Sequence, residues 1–312
     1  MTTSQSVRSP VDDEPILTVA TSSRALFDLE AGNGVYEQQG LEKYREYQIE
    51  HEDDPLEAGE AFEFVRKILL LNGRLNRRLV EVILLSHNSA DTGLRVFNSI
   101  EHHRLGITRA AFCGGESPWR YVRAFDCHLF LSTVEQDVRK ALQEGVAAAR
   151  LLPSPKISPG DDMDDMLRIA FDGDNVLFAG DAEHVYLTQG RDAFEKSEVR
   201  QASEALPVGP FKRVLEALHT LQRMFDESEA CPIRTALVTA RSAPAHKRVI
   251  QTLRKWDIRL DECLFLGGQD KAAFLEAFNA DIFFDDQQAN CDSVAEIGLV
   301  GHVPSEAQAV NA

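Results

Sequence analysis

Basic residues are scarce in this chain. It has 33 Lys and Arg against 50 Asp and Glu, a formal net charge of −17 over 312 residues. Such a surface argues against binding nucleic acid or an anionic membrane. Cysteine is also scarce and unpatterned. Cys113, Cys127, Cys231, Cys263 and Cys291 are odd in number, and no pair has zinc-ligand spacing. They read as reduced thiols of a cytoplasmic protein rather than a disulfide framework. Cys127 and Cys263 fall in predicted strands and are expected to be small core residues. No apolar run approaches the roughly 18 residues that span a bilayer. Met1 to Pro15 has no apolar core and carries Asp12, Asp13 and Glu14. It is read as neither signal peptide nor anchor and is expected to be disordered. There is no Gly-x-Gly-x-x-Gly and no P-loop, so dinucleotide or ATP use is not indicated.

Hydrophobic residues make up 44% of the chain, ample for packed cores. The informative stretch is Asp172-Gly173-Asp174, directly after the apolar run Leu167-Arg168-Ile169-Ala170-Phe171. Two carboxylates at the end of a buried strand are costly unless compensated. A divalent metal compensates them, and Mg²⁺ prefers such hard oxygen ligands. An Asp so placed can also attack phosphorus. Three more predicted strands end in chemistry: Thr235 to Arg241 at Thr239, Glu262 to Lys271 at a Gly turn and Lys271, and Asp281 to Gln287 at Asp285-Asp286. In a parallel sheet all carboxyl ends open on one edge, where ligands bind. Each feature alone has an ordinary reading: a turn, a helix N-cap, a surface lysine, a structural cation site. Together they supply two acidic clusters, a hydroxyl and a cation for phosphoryl transfer. The net charge makes a bound cation all the more necessary, because a phosphate monoester must be held against a repelling field.

The order of these segments matches the haloacid-dehalogenase-like phosphatases. The fuller strings Leu167 to Asp174, Pro232 to Ala243 and Ile282 to Gln287 closely resemble the type I cytosolic 5′-nucleotidase family. Ser22 to Phe27 and Phe97 to Ile100 match it too, and the resemblance runs from about Ile16 to Pro304. It implies Mg²⁺-dependent hydrolysis of nucleoside 5′-monophosphates by a homo-oligomer. By the same resemblance Asp172 is the nucleophile and Asp174 the general acid/base. Thr239, Ala240 and Lys271 hold the phosphate. Asp172, Asp174 (through its main-chain carbonyl) and Asp285 or Asp286 hold the metal. Asn175 departs from the small Ala usual in the family.

The chain also repeats itself. Val35 to Gly40 resembles Val185 to Gly190, Leu26-Phe27 resembles Leu177-Phe178, and Phe112 to Gly115 resembles Phe265 to Gly268, at offsets of 150, 151 and 153. Ordered matches at nearly constant offset suggest two copies of one unit. In the first copy Thr21 and Ser23 are expected where Asp172 and Asp174 stand, Pro118 where Lys271 stands, and Ser132 and Thr133 where Asp285 and Asp286 stand. Hydroxyls do not supply the charge that Mg²⁺ needs, so that half is expected to be catalytically silent. It is left as a scaffold, a dimerisation surface or a nucleotide effector site.

The expected fold is α/β, with two tandem Rossmann-like halves built on mainly parallel sheets. Residues 1–15 form the N-terminus, 16–150 the degenerate half, 151–165 a Pro-rich, acidic linker, 166–305 the catalytic half and 306–312 a tail. Phe211, Val214, Leu215, Leu218 and Leu221, and then Ala245, Val249, Ile250, Leu253 and Trp256, repeat at helical spacing as core stripes. The insert at about 179–208 overhangs the strand ends and is the expected helical cap, whose His184, Tyr186 and Phe194 could stack on a base. Glu42 to Glu50 reads as an exposed helix face and Glu101-His102-His103 as a solvated helix end. Two alternatives stay open: a phosphatase of another small phosphomonoester, and a nucleotide-sensing protein in which hydrolysis is incidental.

Overall fold

Runs of Val, Ile, Leu and Ala that stay apolar on both faces make strands for the middle of a sheet, and among the described residues ten strands assemble, the least buried at its two edges. A computed structural model describes residues 14–154, 165–180, 188, 190–225 and 230–305. Residues 1–13 of the expected N-terminal segment, the C-terminal tail, most of the linker, and His184 and Tyr186 of the insert lie outside the described residues. The strands are β1 (Leu17–Ser22), β2 (Val80–Ser86), β3 (Arg109–Phe112), β4 (Leu129–Ser132), β5 (Ala147–Leu151), β6 (Leu167–Phe171), β7 (Ile233–Thr239), β8 (Glu262–Phe265), β9 (Ile282–Asp285) and β10 (Val300–His302). They form one sheet in the order β3-β2-β1-β4-β5-β10-β9-β6-β7-β8. All neighbours pair in parallel except β5 and β10, which are antiparallel through Leu151–Gly301 and Arg150–His302. The order reads the same from either edge once β1 to β5 are matched with β6 to β10. Because the seam is antiparallel, the carboxyl ends of the two strand sets open on opposite edges of the sheet.

Helices lie between most successive parallel strands. They are α1 (Ser23–Leu26), α2 (Glu30–Glu50), α3 (Phe62–Leu75), α4 (Ala90–His102), α5 (Glu135–Gln143), α6 (Arg191–Arg200), α7 (Lys212–Gln222), α8 (His246–Lys255), α9 (Ala272–Phe278) and α10 (Gln288–Ala295). The predicted stripes of α7 and α8 face the core: Val214, Leu215, Leu218, Leu221, Val249 and Leu253 are buried. On one face a single hydrophobic core runs under both strand sets, while the other face has two separate smaller cores. In the shared core α3 touches β6 and α7 touches β1. Phe284 lies at its centre, with ring centroids 4.7 Å from Phe211 and 5.7 Å from Phe171. Burying one such ring contributes ~1.5–3 kcal/mol, and here it also anchors the strand that carries Asp285.

The chain enters α3 and α7 through the same turn. Gly59 N donates to Leu26 O and Gly209 N to Leu177 O, both at 2.9 Å. A Cβ on Gly59 would meet the main chain of residues 25–27 at 2.8–2.9 Å, and one on Gly209 that of residues 176–178 at 2.5–2.7 Å. Only glycine allows backbones so close.

Two expectations are corrected. Cys263 is exposed rather than core, because β8 is the last strand of the sheet and its outer side lacks a neighbour. His103 is not at a solvated helix end. Its Nε2 lies 2.9 Å from Leu56 O and its ring stacks on Phe27 at 5.7 Å. The exposed face of α2 is as expected, with ion pairs Lys43–Glu46 and Glu42–Arg45.

Candidate active site

β6 delivers Asp172 to the sheet edge. Its amide donates to Phe284 O at 2.8 Å, which ties the first acidic position to the strand bearing the second. Asp172 is buried, as are Asp285 and Asp286 at the end of β9. One oxygen from each of the three lies within 4.8 Å of the others, the one such acidic cluster among the described residues. Lys271 enters from the start of α9 and donates from Nζ to Asp172 Oδ1 at 2.6 Å and to Asp285 Oδ2 at 2.5 Å. Gln287 N at 2.8 Å and Asn290 Nδ2 at 3.1 Å also donate to Asp285, and Asn175 Nδ2 donates to Asp286 at 2.9 Å. Asn175 is in the left-handed region, φ 59°, which folds the chain sharply back after Asp174.

The electrostatics follow from burial. Loss of water pushes the Asp172 carboxyl from 3.8 up to about 7, although the Lys271 ammonium pulls it down. Burial opposes the Lys271 charge too, but Asp172 and Asp285 outweigh it and raise its affinity for the proton. Lys271 reaches two of the three clustered carboxylates, Asp172 and Asp285. Hard oxygens converging from three buried carboxylates are a donor set that fits Mg²⁺.

Thr239 ends β7 beside this cluster. Its Oγ1 accepts from Arg241 N at 3.2 Å, and a Cβ on Gly173 would lie only 3.2 Å from that oxygen, so the Asp172–Asp174 turn and the hydroxyl are in close approach. Ala240 is exposed at the same strand end. Asp174 lies outside the three-carboxylate cluster. Its two oxygens accept from Arg241 Nε and Nη2 at 2.8 and 2.7 Å, a bidentate fork. Phe194, on α6, has its ring 5.6 Å from the Arg241 guanidinium.

Arg241, Glu198, Arg248 and Asn290 were not singled out from the sequence. Arg241 had a signal, lying two residues after Thr239 in the same string. Glu198 sits in a polar helix that looks solvated on its own, yet it is fully buried, between Arg241 Nη1 at 2.7 Å and Arg248 Nη1 at 2.8 Å. Only the tertiary structure brings those charges together.

The strand ends of β1, β2 and β4 carry hydroxyls in similar backbone roles. Ser132 Oγ accepts from Val134 N as Asp285 does from Gln287 N, and Ser86 Oγ accepts from Asn88 N as Thr239 does from Arg241 N. Ser23 Oγ lies 2.8 Å from Ser86 Oγ. The expected alignment of Thr21 and Ser23 with the two acids is corrected by one residue. Thr21 pairs with Leu84 and Phe171 with Leu237, and these partners each stand two residues before Ser86 and Thr239. Ser22 is therefore level with Asp172, and Ser23 with Gly173.

A family model described as 5′-nucleotidase matches residues 9–310. Cytosolic 5′-nucleotidase 1B of Homo sapiens is 39% identical over 304 residues, which cover 93% of this chain and 49% of that protein. The chain thus spans about half the length of the curated relative it matches. Among solved structures, histidinol dehydrogenase from Elizabethkingia anophelis aligns over 94% of this chain and 55% of that one at 11% identity, with a TM-score of 0.22, too low to bear on the fold.

Proposed function

The chain belongs to the 5′-nucleotidase family, and on that premise we propose that it hydrolyses nucleoside 5′-monophosphates to nucleoside and phosphate through an aspartyl-phosphate on Asp172. The observation that carries this reading is the buried convergence of Asp172, Asp285 and Asp286 around Lys271, with Thr239 alongside.

In this mechanism Thr239, the Ala240 main chain and Lys271 hold the phosphate oxygens. Asp172 attacks phosphorus, the bond to the nucleoside 5′-oxygen breaks, and Asp174 gives that oxygen its proton. Asp174, now a carboxylate, takes a proton from water as the water attacks the aspartyl-phosphate. Inorganic phosphate leaves and Asp172 is restored. Asp172, Asp285 and Asp286, with the Asp174 main-chain carbonyl, would hold Mg²⁺, which supplies charge neutralisation for phosphate and nucleophile.

We read residues 16–150 and 166–305 as two copies of one unit. The mirrored strand order, the shared turn at Gly59 and Gly209, and φ of 85° at Gly40 against 82° at Gly190 support it. The first copy is catalytically silent in this reading, because Ser22 and Ser132 stand where the acids stand. Residues 179–208 are read as the cap, with α6 as its described helix. The relative's name places that relative in the cytosol, and we propose the same compartment here. Among the described residues no helix is long and apolar enough to cross a membrane.

A panel of phosphomonoesters, read by phosphate release with Mg²⁺ and after chelation, tests the proposal. Nucleoside 5′-monophosphates are expected to be turned over best, and only with metal. Preference for sugar phosphates would leave a phosphatase of different substrate, and full activity after chelation would refute the metal's part.

A further inference from the structure

The candidate acid/base does not stand alone. From Asp174 a line of alternating charges runs into the insert: Asp174 to Arg241 through the fork, Arg241 to Glu198, Glu198 to Arg248. The side chains of Arg241, Glu198 and Arg248 are 3, 1 and 8% exposed. A buried charge survives only when paired and hydrogen-bonded, and here each link compensates the next. Glu198 belongs to α6, whereas Arg241 and Arg248 belong to the β7–α8 connection and α8. The line therefore ties the insert to the turn that carries Asp174.

The first strand set separates what is scaffold from what is not. Arg95 occupies the place of Arg248: its Nε donates to Asp54 O at 2.9 Å, as Arg248 Nε donates to Glu204 O at 3.2 Å. Ser99 and Thr252 also match, each donating four residues back and accepting from the amide of Leu56 or Leu206. That much is common to both sets. Where the second set has Glu198 and Arg241, the first has Gln48 and Asn88, and Asn88 accepts from Tyr44 instead. Among the described residues the ion line is found in the second set, beside the acids, and not in the first, so the shared scaffold contacts do not by themselves require it.

We propose that Arg241 is a positioning residue that aims the Asp174 carboxylate at the substrate, and that Glu198 on α6 holds Arg241, so that seating of the insert and aiming of Asp174 are one event. This rests on the reading of Asp174 as acid/base given above. The fork matters in the step in which Asp174 is ionised and activates water, because a guanidinium binding both oxygens fixes the carboxylate plane, which a lysine's single point charge does not.

The test uses the full chain with Glu198→Gln, Arg241→Lys, Arg241→Gln and the double variant Glu198→Gln/Arg241→Gln. Steady-state hydrolysis of a nucleoside monophosphate with Mg²⁺ is expected to show kcat lower by about 10- to 100-fold, the scale of a small misplacement of a catalytic group, with KM nearly unchanged. Arg241→Lys should fail to restore it. The double variant should be no slower than Arg241→Gln alone, since residues acting through one another are not additive. Hydrogen exchange gives a readout independent of turnover: in Glu198→Gln both α6 and residues 173–178 should lose protection. A raised KM with kcat intact, additive losses, full rescue by lysine, or loosening of α6 alone would overturn the proposal. A wild-type chain that releases no phosphate from any nucleotide would instead refute the nucleotidase reading, and the exchange result would still decide whether the insert and the Asp174 turn are coupled.

Discussion

Replacing Lys271 by methionine keeps the length of the side chain and removes its charge. The ammonium is 3% exposed and donates to two carboxylates at 2.6 and 2.5 Å, whose own side chains are 7 and 0% exposed. Removing one member of a buried ion pair costs ~3–5 kcal/mol, because the remaining charge stays desolvated. Each kcal/mol moves the melting temperature by roughly 2–4 °C in chains of 150–250 residues, so the metal-free variant should melt roughly 6–20 °C lower. The loss must depend on pH in a definite sense. Burial already lifts Asp172 from 3.8 to about 7, and without Lys271 it is lifted further. A group whose folded value is raised stabilises the fold below its unfolded value, and that contribution is lost as pH rises through the folded value. The deficit should therefore be smaller near pH 5, where Asp172 is protonated, than near pH 8. Thermal melts at both pH values with chelator present, and at pH 8 with excess Mg²⁺, give the answer. A melting temperature unchanged at pH 8, or a larger deficit at pH 5, would refute the charge accounting.

Gly209→Ala should cost ~1–3 kcal/mol, as overpacking does, because its Cβ would meet Val176 O at 2.5 Å and no flexible side chain can yield; a urea titration showing a neutral effect would contradict the shared-turn argument. The hydrogen bond from His87 to buried Asp137 raises the His87 pKa above 6.5. That pair should stabilise the fold fully below pH 6.5 and fade as pH rises through the raised value, so His87→Gln should flatten the decline, and an unchanged slope in the variant would count against it. Asp174→Asn should lose most steady-state turnover; a wild-type rate across the pH range would move the acid/base role elsewhere.

The residues that converge on the site were legible because each ends an apolar run: Asp172, Thr239 and Asp285 stand at strand ends, and Lys271 follows a Gly turn. Parallel strands guarantee that such ends share an edge. Strand neighbours were not legible. Nothing in Val300 to His302 marks a strand, still less one that pairs antiparallel with β5, so the join of the two strand sets had to be seen. The exposure of Cys263 has the same origin, since edge position is a property of the whole sheet. The one-residue slip at Thr21 arose because the offset of 151 holds at Leu26 and Phe27 but not before Asn175, whose left-handed turn adds a residue between Asp172 and Val176. Glu198 was invisible because a carboxylate buried between two arginines looks, in sequence, like one facing water.

The central claim is that Asp172 becomes phosphorylated. Rapid acid quench after mixing the chain and Mg²⁺ with a nucleoside monophosphate labelled in its phosphate, followed by peptide mapping, tests it directly. The label is expected on the peptide that carries Asp172, forming and decaying fast enough to account for turnover, and absent from Asp172→Asn, whose hydrolysis should fall by several orders of magnitude. Label on another residue, or Asp172→Asn retaining a tenth of the activity, would contradict the account.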